Sequence, residues 1–307
     1  MPERMPEGVL EDHPMARLTT VRTGGNADFF AKPTDPESLV SLLAWARDNE
    51  VAIGMVGSGS NLLVSDAGFR GLAIKLDGDL ASIEREGNDL VCGGGARLPS
   101  AAAKTAGWGL AGLEFGINIP GTAGGAVKMN ANAYGGRLAD VIDWVEICTA
   151  DGVKRVAPGD LDFEYRHSNI TSEQVVSRVA FALEPDEPEK IKERLAEMRQ
   201  WRKDAQPSGI KTFGSTFKNP DDPRAEGRSA GQLLDAAGCR GLVIGGAGLA
   251  EKHANFVENR GEASTADVVA VMTEARRRVK AEFGISLEPE VQTLGEIDWP
   301  ADWSEES

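Results

Sequence analysis

Hydrophobic positions along the chain change period several times, and each change predicts an element. Leu39, Leu42, Leu43 and Ala46 recur at three- and four-residue spacing, one face of a helix. Thr34-Asp-Pro-Glu37 ahead of them predicts a capping box, with Pro36 in the first turn, where its missing N–H costs nothing. Pro99 to Ala106 predicts a second, short helix. A polar helix is expected from the acidic stretch at 184–189 to about Lys203, and another from Ser229 to Ala237. Val268, Val271, Met272, Ala275 and Val279 form one stripe behind a Ser264-Thr-Ala-Asp267 cap, and Gly284 ends that helix after Phe283. A stripe of that kind is core packing.

The remaining apolar runs are shorter and β-rich. Strands are predicted at Met55-Val56, Gly71 to Leu76, around Ile83, Leu90 to Cys92, Val141 to Thr149 and Gln174 to Leu183. Further along they are expected at Gly214 to Asn219, within Leu242 to Leu249, at Asn255 to Glu258 and at Leu287 to Leu294. Asp151-Gly152 supplies a hairpin turn. Many strands with irregularly placed helices indicate an α+β class and not a βαβ alternation. Glu184-Pro-Asp-Glu-Pro-Glu189 reads as a linker or an exposed corner. Residues 1–17 read as a loose acidic arm, and the tail from Gly295 is acidic with two tryptophans that the pattern does not explain.

Composition narrows the function. The chain has 307 residues and a net charge of −15; its mean hydropathy is −0.27. That length suits about two domains. The acidic balance argues against nucleic acid, which needs a basic surface. No apolar run is long enough for a membrane span, and the N-terminal residues lack the apolar core of a secretory signal. Cys92, Cys148 and Cys239 are far apart in apolar surroundings, as buried reduced thiols would be. The three histidines form no metal-ligand spacing with them, so no metal is expected.

Five stretches carry candidate chemistry. Phe115 to Gly136, FGINIPGTAGGAVKMNANAYGG, mixes glycines with apolar residues, so it is packed and not a linker. Gly124-Gly125 reads as a tight turn opening a short helix whose free N–H groups make an anion site. Gly57-Ser-Gly-Ser-Asn-Leu-Leu63 follows a strand with small residues; it is neither GxGxxG nor a Walker loop, and is either a phosphate cradle or a plain turn. Lys211 to Pro220 sets Ser215 beside Gly214, where the backbone can approach a ligand; a plain surface strand is the other reading. Phe163-Glu-Tyr-Arg-His-Ser168 offers Arg166, whose planar fork suits a carboxylate or phosphate and equally a structural salt bridge. Glu288 and Glu290 share one side of an extended Leu287 to Gln292, as exposed carboxylates or as a buried acid.

Taken together and in order, GSGSNLL (57–63), GINIPGTAGGAVKMNANAYGG (116–136), YRHS (165–168), GSTFKNP (214–220), AAGCRGL (236–242) and LEPEV (287–291) resemble the UDP-N-acetylenolpyruvoylglucosamine reductase family in its shorter subtype. The resemblance covers about Leu18 to Gly295. It departs from the family at Ile117-Asn-Ile-Pro, where a shorter run is usual, and at Asn132, where glycine is usual.

The resemblance implies an FAD-binding fold of the vanillyl-alcohol oxidase (PCMH) type. That fold has two α+β subdomains over 18–186, and an α+β substrate domain follows over 187–284. Residues 285–307 would bring a strand back to the active site and end in the acidic tail. Non-covalent FAD would be held by Gly57, Ser58, Gly59, Ser60, Asn61, Leu62, Gly121, Thr122, Gly124, Gly125, Ala126 and Asn130. By the same resemblance Ser215 is the proton donor, and Arg166 and Glu290 stabilise the intermediate. Lys218, Asn219 and Asn255 would touch the substrate. NADPH would be the hydride donor and an enolpyruvyl nucleotide sugar the acceptor, in a cytoplasmic monomer of peptidoglycan precursor synthesis. Two competing readings are an oxidase or dehydrogenase of the same fold acting on an alcohol or hydroxy acid, and a flavin- or nucleotide-binding module without turnover.

Overall fold

The structure is a computed structural model and describes residues 5–303. Residues 1–4 of the expected arm and 304–307 of the expected tail lie outside the described residues. The described chain forms two compact units. One comprises residues 5–12, 29–58 and 70–204; the other comprises 13–28, 59–69 and 205–303. No helix among the described residues is long and apolar enough to cross a membrane.

The first unit is built on a five-stranded antiparallel sheet. Its order is Gly152–Val156, Ile142–Thr149, Val175–Ala182, Asp89–Gly93, Ile83–Glu86. Val175–Ala182 lies in the middle and is buried at six of its eight positions, which explains why it reads as a nearly continuous apolar run. One face packs Leu98, Ala101 and Ala102 of the helix Leu98–Trp108 against Val145, Val179 and Phe181. A second core joins Leu39, Leu43 and Ala46 of the helix Pro36–Asp48 to Leu72, Ile74 and Cys148. There the strand Ile53–Met55 runs parallel to Phe69–Ile74, pairing Ile53 with Leu72 and Met55 with Ile74.

Several boundaries move by a residue or two, each for a local reason. The first helix is capped by Asp35, not Thr34: its carboxylate accepts the Ser38 N–H at 2.8 Å, and Ser38 answers in kind. Pro36 fixes the first helical position, so the residue before it must be the cap. The acidic stretch at 184–189 is an exposed corner. Glu184–Pro185 pairs with Leu110–Ala111, and the helix Pro188–Ala205 begins at once. That helix is polar overall but buries Ile191 and Leu195 in the core of the first unit. Part of the stretch read as a loose arm is ordered: Leu10–Pro14 is a strand and Met15 is fully buried.

The second unit packs the helices Ala230–Ala236 and Thr265–Phe283 on short strands at Val243–Ile244, Ala247–Leu249 and Val257–Asn259. The predicted stripe of the long helix faces Leu233, Val257 and Leu287, and Gly284 ends it at a φ of 70°. Gln292–Leu294 pairs in parallel with Leu62–Val64. The tail tryptophans also find their explanation here. Trp299 stacks on Trp303 with ring centroids 4.8 Å apart, and Trp303 is buried beside Phe217 under the Arg276 guanidinium.

Candidate active site

The turn Gly57 to Asn61 leaves the strand Ile53–Met55 and leads into Leu62–Val64. A Cβ on Gly57 would sit 2.8 Å from the Thr122 hydroxyl oxygen, so only glycine fits there without displacing Thr122. Gly59 has a φ of 65°, and a Cβ there would overlap the Leu18 carbonyl. Its own carbonyl accepts the Thr20 N–H at 3.0 Å. Among the described residues, the N–H groups of Gly57, Ser58, Gly59, Ser60 and Asn61 donate to no protein acceptor. Consecutive N–H groups left open at a glycine turn are an anion-binding arrangement. Leu62 is buried in the strand that follows.

The second glycine stretch differs from the sequence expectation. Gly124 and Gly125 lie inside the short helix Ala123–Lys128, with Thr122 as its cap, and not in a turn before it. The N–H group of Gly124, expected to be open for an anion, bonds the Gly94 carbonyl at 2.8 Å, and that of its neighbour Ala123 bonds the Ala96 carbonyl at 2.8 Å. The glycine at 124 answers a packing need: a Cβ would stand 3.0 Å from the Gly94 oxygen and 3.2 Å from that of Val176. Ala126 is buried and its N–H bonds Thr122 within the helix. Just ahead of the helix, the N–H groups of Gly121 and Thr122 have no protein acceptor among the described residues. Gly121 is open, with its nearest neighbour atom, on Ile119, 3.9 Å from a built Cβ.

Downstream, the same stretch holds the Arg166 turn. Glu164 and His167 exchange backbone hydrogen bonds, and Arg166 between them has a φ of 57°. Three contacts tie this turn to residues 128–132. Ser168 Oγ donates to the Lys128 carbonyl at 2.7 Å, Asn130 Nδ2 donates to the Glu164 carbonyl at 2.9 Å, and an Arg166 guanidinium N–H donates to Asn132 Oδ1 at 2.8 Å. Asn130 is buried, and its Oδ1 also accepts the Ala139 N–H at 3.3 Å. Its amide therefore holds two segments of chain together, where a flavin contact was expected. The Arg166 guanidinium lies 4.9 Å from the centre of the exposed Tyr165 ring.

In the second unit, the segment from Ser215 to Lys218 is flanked on both sides by extended chain. Ser215 bridges Phe256, and Thr216 donates its N–H to the Asn255 carbonyl at 2.8 Å. On the other side Phe217 bridges Pro289, Glu290 donates its N–H to the Thr216 carbonyl at 2.9 Å, and Lys218 donates to that of Glu288. Lys218 and Glu288 also form an ion pair at 3.1 Å. Gly214, at a φ of 85°, lets the chain turn into this ribbon; a Cβ there would lie 3.6 Å from the Ser60 carbonyl. Asn61 Nδ2 donates to the Glu290 carbonyl at 3.2 Å, and the Asn61 carbonyl accepts the Gln292 N–H at 3.1 Å. Ser60, Asn61, Gly214, Ser215 and Glu290, far apart in sequence, are thus brought together.

Two expected substrate contacts have other partners. Asn255 is 4% exposed, and both ends of its amide bond the backbone of Phe217. Asn219 is exposed, and its Oδ1 accepts the Ala230 N–H at 3.0 Å at the start of a helix. Sequence reasoning missed Asn132 as the acceptor for Arg166, and the clasp at Asn118. The Asn118 amide donates to the Met198 carbonyl at 2.7 Å, and Arg202 donates to the Asn118 carbonyl at 2.8 Å. The signal available for both was their position: each stands where the motif departs from the family it resembles.

Known proteins resemble this chain along most of its length. The family model for the FAD binding domain matches residues 27–156, and that for the UDP-N-acetylenolpyruvoylglucosamine reductase C-terminal domain matches residues 206–294. The UDP-N-acetylenolpyruvoylglucosamine reductase of Agathobacter rectalis is 41% identical over 96% of this chain and 97% of its own. That of an Anaeromyxobacter species is 42% identical over 94% and 89%. The crystal structure of the Thermus caldophilus reductase superposes with a TM-score of 0.79 at 34% identity, over 95% of this chain and 98% of that one. The chain belongs to the UDP-N-acetylenolpyruvoylglucosamine reductase family.

Proposed function

We propose that Ser215, Glu290 and Arg166 carry the reduction that defines this family, with the open N–H groups of the two glycine stretches holding the cofactor. The chain is an FAD-dependent oxidoreductase that uses NADPH to reduce the enolpyruvyl group of UDP-N-acetylglucosamine enolpyruvate, giving UDP-N-acetylmuramate for peptidoglycan precursors. The residues present fit FAD. Gly57 brings the first glycine turn close against Thr122 of the second, as no larger residue could, and the N–H groups of Gly57 to Asn61, Gly121 and Thr122 offer donors to a diphosphate bound non-covalently. Held there, FAD would supply the hydride chemistry, relaying a hydride from NADPH to the terminal vinyl carbon of the substrate.

As that carbon gains hydrogen, charge builds on its neighbour and spreads into the adjoining carboxylate. The Arg166 guanidinium faces that charge with donors that strengthen as it develops. The Ser215 hydroxyl gives its proton to the carbon bearing the ether oxygen, completing the lactyl group. Glu290 assists by donating a hydrogen bond, which requires its carboxyl to carry a proton. Lys218 and Asn219, next to Ser215 in the chain, meet the nucleotide sugar, and Asn255 acts indirectly by fixing Phe217. We assign the chain to the cytoplasm, where a nucleotide-sugar precursor and NADPH are found together, as a monomer without nucleic-acid or membrane partners.

The observation that carries this reading is that Glu290 bonds the Thr216 carbonyl, one residue after Ser215, with Asn61 of the first glycine turn bonded to the Glu290 carbonyl. The test is anaerobic. The protein is reduced with NADPH, and the enolpyruvyl nucleotide sugar is then added. Prompt return of the oxidised flavin spectrum is expected. Flavin that stays reduced, or that is reduced by an alcohol or hydroxy acid in place of NADPH, would overturn the assignment.

A further inference from the structure

We infer that Asn132 is a positioning residue for Arg166, aiming its guanidinium while leaving the positive charge whole. This inference rests on the reading of Arg166 as the partner of the substrate carboxylate. The contact is 2.8 Å from an Arg166 terminal nitrogen to Asn132 Oδ1. Arginine has donors and no acceptor, so the amide oxygen, not the nitrogen, must face it.

Both partners sit on backbone that is itself restrained. Asn132 starts the two-residue strand Asn132–Ala133, paired with Gly136–Arg137 across a turn in which Tyr134 and Gly135 have φ of 51° and 83°. Two consecutive left-handed residues make the tight hairpin that matches strand twist. Gly136 closes it against Phe115, whose ring a Cβ would strike. Arg166 is held in its own left-handed turn between Glu164 and His167, and the Lys128–Ser168 and Asn130–Glu164 bonds fix that turn to the same stretch. The Asn132–Arg166 bond is therefore a side-chain link between two pre-set turns, and it narrows the rotamers open to a long side chain.

The choice of amide matters. A carboxylate at 132 would bond the guanidinium more strongly but would offset the charge that the substrate carboxylate needs. A neutral acceptor uses one of the guanidinium donors and leaves the charge intact.

The experiment compares N132A, N132D and R166A with the parent holoenzyme. Stopped flow follows flavin reduction by NADPH and reoxidation by UDP-N-acetylglucosamine enolpyruvate separately. Calorimetry gives the affinity of the oxidised holoenzyme for that substrate. In N132A, reoxidation should slow by about tenfold to hundredfold, the range for losing a hydrogen bond to a charged group. Reduction by NADPH should stay within about twofold. N132D, nearly the same shape, should keep its FAD and bind substrate about tenfold more weakly because Arg166 is neutralised; it carries the test if N132A does not fold. Unchanged reoxidation and affinity in these variants, or an equal fall in both half-reactions with loss of FAD, would sink the inference. If R166A slows reoxidation while the Asn132 variants do not, only the role of Asn132 falls. If R166A reoxidises normally, the reading of Arg166 falls and this inference with it.

Discussion

Asn255 brackets Phe217 with both ends of its side-chain amide: Oδ1 accepts the Phe217 N–H and Nδ2 donates to the Phe217 carbonyl, each at 2.9 Å. Both residues are buried, so no water stands ready to replace either bond. Asn255→Ala would leave a buried N–H and a buried carbonyl without partners. The expected cost is about 2–4 kcal/mol, from two such groups at about 1–2 kcal/mol each. Denaturant unfolding of the variant measures it. Because Ser215 lies two residues before Phe217, activity should fall as well, and a variant as stable as the parent would refute this account of Asn255.

Ser215→Ala removes the hydroxyl proposed as the proton donor and little else, since the residue is held through its backbone. General acid catalysis contributes about 10²–10⁴-fold, and the rate of flavin reoxidation by substrate should drop by about that factor. Flavin reduction by NADPH should proceed at the parent rate. Normal turnover in the variant would remove Ser215 from the mechanism.

Gly57→Ala puts a methyl group 2.8 Å from the Thr122 hydroxyl oxygen, closer than real contacts allow. Either Thr122 gives way or the turn shifts, and both move the N–H groups assigned to the cofactor. The protein should purify with FAD bound at least about tenfold more weakly, the equivalent of about one misplaced hydrogen bond to a charged group. The ratio of flavin to protein absorbance, followed through dilution, reports it. Full retention of the yellow colour would argue that this turn does not hold the cofactor.

Burial pushes the Cys92 thiol up from an ordinary 9.0 to about 12, and that of Cys239 to about 11. The sign follows from proton linkage. Between the unfolded and folded values the folded chain keeps a proton that the unfolded chain has lost. The contribution of such a thiol is therefore complete below about pH 9 and declines as pH rises toward 11 and 12, by about 1.4 kcal/mol per pH unit for each thiol. Cys92→Ala should have a visibly flatter fall in stability over that interval than the parent. In native protein, all three cysteines, which are buried and unpaired, should resist thiol reagents until denaturant is added.

Local rules read directly from residues account for much of this molecule. The Ser264 cap, the stripe from Val268 to Val279 and the Gly284 stop describe the last helix almost to the residue, because period, cap and terminator all act within a few positions of one another. The run Val175–Ala182 is legible as a strand for a similar reason, being apolar at nearly every position. The motif order was legible too, and it carried the family. Asn130 shows where such reading stops. It lies in the glycine-rich motif, and only the fold shows that its amide bonds the Glu164 carbonyl and the Ala139 N–H.

Chain pattern alone thus determined the α+β character, most helices and strands, the acidic balance and the candidate residues Arg166, Ser215 and Glu290. Tertiary structure decided which polar groups remain available. The N–H group of Gly124 looked open from sequence but bonds the Gly94 carbonyl, while those of Gly57 to Asn61 meet no protein acceptor among the described residues. It also decided that Asn61 meets Glu290 and that Asn132 meets Arg166. The physical reason is the range of each effect. Helix periodicity and capping depend on neighbours within a turn, but a donor is satisfied or left open by whichever distant segment the fold brings to within about 3 Å of it.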